Sequence, residues 1–363
     1  MDRRRPRTRR AAVACSEPCA SPSTWTAAGA SVDPATAAMP SHFYLGGAVF
    51  HPGERALQEQ AGVDRAGWGS AGVGTDIPLV AAQFLTQQRL VVIAAADDTG
   101  AVWATALSGP PGFTRARDEH TILVNRLPKP PLEGLFDHER DIGMIAIEPA
   151  RRRRMRINGL AHVDGTNLVV NTNQVYANCP KYIQTRTPHD VDRSSSVDSV
   201  VHVDPVSAGG INMSNTLSDA QQRWVNTADT FFVGTRADQL GADASHRGGN
   251  PGFTVASASR ITWPEYVGNG MFMTLGNLLL NPRSGLLFLD WQTGAALHVT
   301  GHAHIDDSPS RSAAVPGAER LVDLTVDRVV QVEGVLPQPW TFGEYFRHNP
   351  RVAQPTELAR TRQ

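Results

Sequence analysis

The chain has 363 residues with a formal net charge of -1, 41% of them hydrophobic and 19% charged. That length suits two domains at roughly 150 residues each, and the near-neutral balance supplies no general attraction to nucleic acid or acidic membranes. No run of about 18 apolar residues occurs to span a bilayer. The three cysteines, Cys15, Cys19 and Cys179, make a poor disulfide framework, so a reducing, cytoplasmic setting is expected.

In chain order, residues 1–40 open with an arginine-rich stretch and continue rich in Ala, Ser, Thr and Pro. They lack the continuous hydrophobic region of a secretory signal and read as a disordered tail, with Met39 as an alternative start. Cys15 and Cys19 have no histidines near them to complete a metal site. Organised sequence begins near Phe43. Pro52, Glu54, Leu57 and Ala61 predict a short helix, and Ile77 to Leu85 a second. Leu90–Ala96 and Ala101–Leu107 predict a hairpin about the turn Asp97–Gly100. Further strands are expected at 120–125, 142–147, 155–162 and 167–171. Short strands joined by tight turns are the grammar of a barrel.

The same grammar then recurs. Pro111-Gly112-Phe113 returns as Pro251-Gly252-Phe253, 140 residues on; Gly159-x-Ala161-x-Val163 returns as Gly301-x-Ala303-x-Ile305, 142 on. IGMIAIE from Ile142 returns as GLLFLDW from Gly285, 143 on. Ordered matches with nearly constant offset predict two copies of one unit, first at 41–187 and second at 219–350, with a polar linker over 188–218 and a loose tail after 350.

The densest chemistry lies between Gly241 and Ile305. Ser245, His246 and Arg247 stand directly before Gly248 and Gly249, placing donors and a cation beside a backbone that a ligand can approach. Thr274, Asn277 and Leu278 share a helical face downstream of Asn269 in a GNG turn, a set that offers donors to an anion or simply caps a helix. Gly285–Asp290 reads as a buried strand, and Leu297–Ile305 as a half-buried one. His298, His302 and His304 fall on one face of the latter; without a carboxylate or cysteine partner, a solvated face is expected rather than a metal site. Arg151–Arg154 with Arg156 reads as a short solvated helix or turn, with one arginine left free to meet an anion. No Walker loop, HExxH or GxSxG motif is present, so NTP, zinc-protease and serine-hydrolase chemistry have no anchor.

The series DASHRGG, GN…TLGNLL and NPRSGLLF resembles the pyridoxamine 5'-phosphate oxidase-like family of FMN-binding split β-barrels. The resemblance covers about residues 43–350. It implies a mainly β fold with peripheral helices (α+β), as two tandem split β-barrels forming a pseudo-dimer. It further implies FMN held by Ser245, His246, Arg247, Gly248, Asn269, Thr274 and Asn277, with Lys181 and Tyr182 of the segment NCPKYIQTR brought in from the first copy. At the 140 offset, Leu107 stands for Arg247 and Thr105 for Ser245, so one flavin per chain is expected. Implied partners are a small substrate or nicotinamide donor, or a separate reductase; a monomeric pseudo-dimer and a homodimer both fit. No acid–base residue stands out. A flavin- or haem-binding carrier without turnover, and a deazaflavin-dependent reductase, are the alternatives. Trp340 reads as core packing in the closing strand or as a cap on the flavin ring.

Overall fold

The apolar run Leu90–Ala96 forms strand β1. It lacks polar alternation because both of its faces are covered: Val91, Ile93 and Ala95 enter one core, and Leu90, Val92 and Ala94 enter another. The computed structural model describes residues 50–63, 73–189 and 210–352. The expected N-terminal tail with Met39, Cys15 and Cys19, the centre of the expected linker and nearly all of the C-terminal tail therefore lie outside the described residues.

β1 pairs with β2 (Val102–Ser108) across a turn in which the Asp97 carboxylate accepts from the N–H groups of Thr99 and Ala101 at 2.9 and 3.0 Å. With β3 (Thr114–Ala116), β4 (Thr121–Val124), β5 (Arg140–Glu148), β6 (Arg153–Asp164) and β7 (Asn167–Asn178) they make a seven-stranded sheet of order β2-β1-β5-β6-β7-β4-β3. After β8 (Arg186–Pro188) and β9 (Ile211–Ser214), the strands β10 (Thr230–Ala237), β11 (Gly241–Gly248), β12 (Val255–Ser257), β13 (Arg260–Tyr266), β14 (Arg283–Leu289), β15 (Ala296–Asp306) and β16 (Ala318–Val332) make a second sheet. Its order is β11-β10-β14-β15-β16-β13-β12, with β9 added beside β16. The end of the expected linker is thus a strand of this sheet. β17 (Trp340–Phe342) pairs with β8.

Advancing each strand number of the first order by nine reproduces the second. The correspondence extends to an irregularity: the register slips between Asn158 and Gly159 in the β6–β7 ladder and between Thr300 and Gly301 in the β15–β16 ladder, leaving Asn173 and Asp327 as the extra residues. All ladders are antiparallel, as a split barrel requires, and neither sheet closes on itself.

Helices sit at the periphery. α1 (Pro52–Gln60) starts from a capping box in which His51 Nδ1 accepts from Gly53 and the Glu54 carboxyl accepts from the His51 N–H at 2.8 Å. α2 (Leu79–Thr86) begins after Pro78, two residues later than expected; proline lacks the N–H that a helix interior needs. α3 (Asp219–Thr227) has a second capping box, Ser218 with Gln221. α4 (Met273–Leu280) carries the TLGN series, and α5 (Pro309–Ala313) precedes β16.

Each sheet wraps its own core, and a third core lies between them, where Leu90, Val92, Ile145 and Ile147 meet Phe232, Leu287, Leu289 and Ala296. Trp340 belongs to this third core, edge-on to Trp291 at 5.6 Å, so it packs rather than facing a ligand. The shared core also corrects the reading of the three histidines. His302 and His304 are exposed, but His298 is fully buried, because the first half of that strand face is covered by β2. There His298 Nε2 meets Thr105 Oγ1 at 3.1 Å and Nδ1 meets the Val330 carbonyl at 3.1 Å. Among the described residues no His, Cys, Asp and Glu group has the arrangement of a metal site, and no helix is long and apolar enough to cross a membrane.

Candidate functional site

β11 is an edge strand, so side chains from both of its faces reach a neighbouring cleft of about 240 Å³. The cleft lies between the two sheets' elements. Ser245, His246, Arg247 and Gly248 come from β11, and Tyr266 to Phe272 from the loop into α4. Arg154 and Arg156 come from β6, and Asn178 to Tyr182 from the segment after β7.

Alternation along β11 puts Ser245 and Arg247 on one face, and Arg247 Nη1 donates to Ser245 Oγ at 2.8 Å. Arg247 Nε donates to Glu265 at 2.7 Å, and Trp263 Nε1 donates to the same carboxylate oxygen at 2.9 Å, so the guanidinium is held in place. His246 points to the other face, edge-on to Phe232. Its Nδ1 lies 3.0 Å from Arg154 Nη1. A guanidinium only donates, so Nδ1 is the acceptor and the neutral ring carries its proton on Nε2. Burial, with Arg154 and Arg247 nearby, holds the His246 pKa well below the usual imidazole value.

Donors in this wall are unpartnered: His246 Nε2, Arg154 Nε and Arg156 Nε are buried without a hydrogen-bond acceptor, as is Arg320 Nη1 on the cleft's β16 side. Burial lowers the Arg154 pKa to about 10, which leaves it charged at neutral pH. Buried donors without acceptors are costly unless something accepts from them.

Lys181 and Tyr182 close one side. Tyr182 has a left-handed backbone (φ 64°), and its carbonyl lies where a side chain on Gly248 would be, so the glycine is what admits the segment after β7 here. The Tyr182 hydroxyl donates to the Val267 carbonyl at 3.0 Å, and its ring stands 5.2 Å from Tyr266 and 5.9 Å from Phe346. Lys181 Nζ reaches the same carbonyl at 3.5 Å. Asn269 Nδ2 donates to Asn178 Oδ1 at 3.1 Å, joining the two sides of the cleft floor. It does not cap α4, whose first turn follows Phe272 in a left-handed conformation without a side-chain cap.

Thr274 lines the cleft but donates to Asp243 at 3.3 Å, and Asp243 is ion-paired with Arg156. Asn277 is placed elsewhere. It shares Thr274's helical face, as expected, but that face turns into the protein: Asn277 Oδ1 lies 2.8 Å from His51 Nε2 and Nδ2 donates to Thr235 at 3.0 Å. It lines a separate cavity of about 40 Å³ with His51, Glu54 and Asp243.

Arg154, Arg156, Glu265, Tyr266 and Arg320 complete the cleft without having been singled out. A signal for the first two was present. In Arg154-Met155-Arg156-Ile157 apolar and charged residues alternate, and Met155 and Ile157 enter the first core while both arginines line the cleft with residues of β11. The expected solvated helix or turn holds for Arg151 and Arg152, where a 3-10 turn ends (Arg152 φ 52°); from Arg153 the run is strand β6.

No family model and no curated protein matches this chain. Solved structures similar to it include pyridoxamine 5'-phosphate oxidase-like and FAD-binding proteins. HupZ of Group A Streptococcus is 12% identical over 31% of this chain and 91% of its own, with a TM-score of 0.26. An FAD-binding protein of Mesorhizobium loti is 13% identical over 34% of this chain and 97% of its own, with a TM-score of 0.24. A pyridoxinephosphate oxidase family protein of Clostridium acetobutylicum, related to general stress protein 26, is 13% identical over 33% and 89%, with a TM-score of 0.23.

Proposed function

We propose that the cleft is a flavin mononucleotide site and that the protein is an oxidoreductase using it. The observation that carries this reading is the pair of buried donors, Arg154 Nε and His246 Nε2, which lack acceptors in a wall that also holds Arg247 and Ser245. A phosphate or other anionic oxygen on the cofactor is what such a wall fits. Arg154, Ser245, Arg247 and Lys181 would hold the anionic part; Tyr182 and Tyr266, whose rings meet at the mouth, would bound the planar part. Bound flavin would supply hydride and single-electron transfer. The chain's own groups bind, orient and exclude water. Neutral His246 offers a donor, and the Glu265 carboxylate is occupied by Arg247 and Trp263.

The two sheets, in this reading, are copies of one unit forming a pseudo-dimer within one chain. Identical strand order and the matching register slips support it. It also accounts for a single site. At the first copy's counterpart, Leu107 is core, Thr105 is engaged by His298, and Leu132 and Phe136 are fully buried in the same core. A small reduced substrate or nicotinamide donor on one side and oxygen or another acceptor on the other complete the proposed reaction.

The test is the absorption spectrum of the purified chain, with the released chromophore identified by mass, followed by FMN titration of the stripped protein. One flavin per chain, lost in Arg154→Gln and Arg247→Ala, is expected. A colourless protein that takes up no added FMN sinks the reading.

A further inference from the structure

We propose that Cys179 is a thiol-modification site at the mouth of this cleft, exchanging with small anionic disulfides. Cys179 is a free, half-buried cysteine that lines the cleft directly after β7. Its backbone is held by its neighbour, the Cys179 N–H donating to Asn178 Oδ1 at 2.9 Å. Arg154 Nη2 lies 3.9 Å from the sulfur while Nη1 of the same guanidinium engages His246. The environment is cationic, with Arg154, Lys181 and Arg247 lining one cleft. Of the carboxylates that line it, Glu265 is bound by Arg247, and Glu319 is the other. An independent observation points to a ligand beside the thiol: His246, 5% exposed and lining the same cleft, has a buried Nε2 with no acceptor.

The thiolate is the form that attacks disulfides, and the cationic wall draws an anionic disulfide towards it. The exchange is balanced. Cys179 loses its proton to solvent, its thiolate attacks one sulfur of the incoming disulfide, the old S–S bond breaks, and the other half leaves as a thiolate. Cys179 ends oxidised to the mixed disulfide, and the departing half is reduced. The attached anionic group then occupies the cleft and excludes its other ligand. Only this last consequence rests on the flavin reading.

The experiment uses the full chain carrying Cys15→Ser and Cys19→Ser, so that Cys179 alone reacts. Rates are followed with dithiobis-nitrobenzoate, an anionic aromatic disulfide, and with dithiodipyridine, a neutral one. The anionic-to-neutral rate ratio is expected to exceed that of the urea-unfolded chain by roughly tenfold, to fall to the unfolded value in Arg154→Gln, and to persist in Arg154→Lys. A ratio in the folded chain equal to the unfolded one overturns the proposal, as does one that Arg154→Gln leaves unchanged. Should Arg154→Gln fail to fold, raised ionic strength serves on the intact chain. Salt must lower the anionic rate selectively, and a ratio indifferent to salt overturns the proposal equally. Adding FMN separates the two readings: slowing of both reagents supports a shared cleft, whereas a fast reaction that FMN leaves unslowed upholds the thiol site and counts against the flavin.

Discussion

Gly143 of β5 and Gly285 of β14 hold reciprocal positions across the two sheets. A side chain on Gly143 would run into the backbone of Asp243 and Ala244 in β11; one on Gly285 would meet Val102 and Trp103 in β2. Each sheet therefore presses an edge hairpin strand onto a glycine of the other. Backbone has no room to yield, so Gly143→Ala and Gly285→Ala are each expected to cost about 1–3 kcal/mol by overpacking. Gly74→Ala, where nothing lies closer than 3.9 Å, is the control and should stay within about 0.5 kcal/mol. Urea unfolding of the three variants checks this.

Stability should rise steeply with pH below neutrality. Burial lowers His51 and His298 from 6.5 to about 4 and His246 well below 6.5. Between pH 6.5 and about 4 the folded chain therefore binds fewer protons than the unfolded one, and stability is complete above 6.5 and lost as pH falls through that window. A shift of this size corresponds to about 3 kcal/mol for fully buried His298. His298→Gln, which can keep a hydrogen bond to Thr105, should flatten the acid limb in proportion.

Glu54 acts in the opposite sense. Burial raises its pKa from 4.5 to about 8, so the folded chain keeps a proton that the unfolded chain releases, and stability falls as pH rises from 4.5 to 8. Three histidines outweigh one carboxyl below 6.5, while above 6.5 only the carboxyl acts; maximal stability near pH 6.5 is expected. Glu54→Gln should remove the decline on the alkaline side. Denaturation midpoints from pH 5 to 8 decide, and a variant that still declines as the parent does would refute the assignment.

Arg186, the first residue of β8, donates twice to Asp229 before β10, at 2.7 and 2.6 Å, with the guanidinium over the Trp291 ring at 4.8 Å. Both residues are about 7% exposed. Removing one partner strands a buried charge, so Asp229→Asn and Arg186→Met should each destabilise by about 3–5 kcal/mol, and the double change by less than the sum. A thermodynamic cycle from unfolding curves reads the coupling.

In the cleft, Arg247→Ala should weaken FMN binding by about 1.5–3 kcal/mol, the range for hydrogen bonds to charged groups. Asn277→Ala should instead lower stability, since Asn277 bonds His51 and Thr235 in the core. Titration and unfolding measured on both variants distinguish a ligand contact from a packing contact.

Much of this protein was legible in residue order alone. The hairpin about Asp97, the helix after Pro52 and the recurrence of local patterns are short-range properties, set by turn chemistry and side-chain period. The grouping of Ser245, His246, Arg247 and Gly248 was equally visible, because neighbours along the chain stay neighbours in space; that they share one strand came from the structure. Tertiary structure decided the rest. Which face of α4 meets a ligand, whether His298 is wet or dry, and that Arg154 stands beside His246 all depend on one sheet covering the other. Pattern along a chain reports that a face is buried or exposed, but not what covers it; residues 92 apart met only because the two sheets share a core.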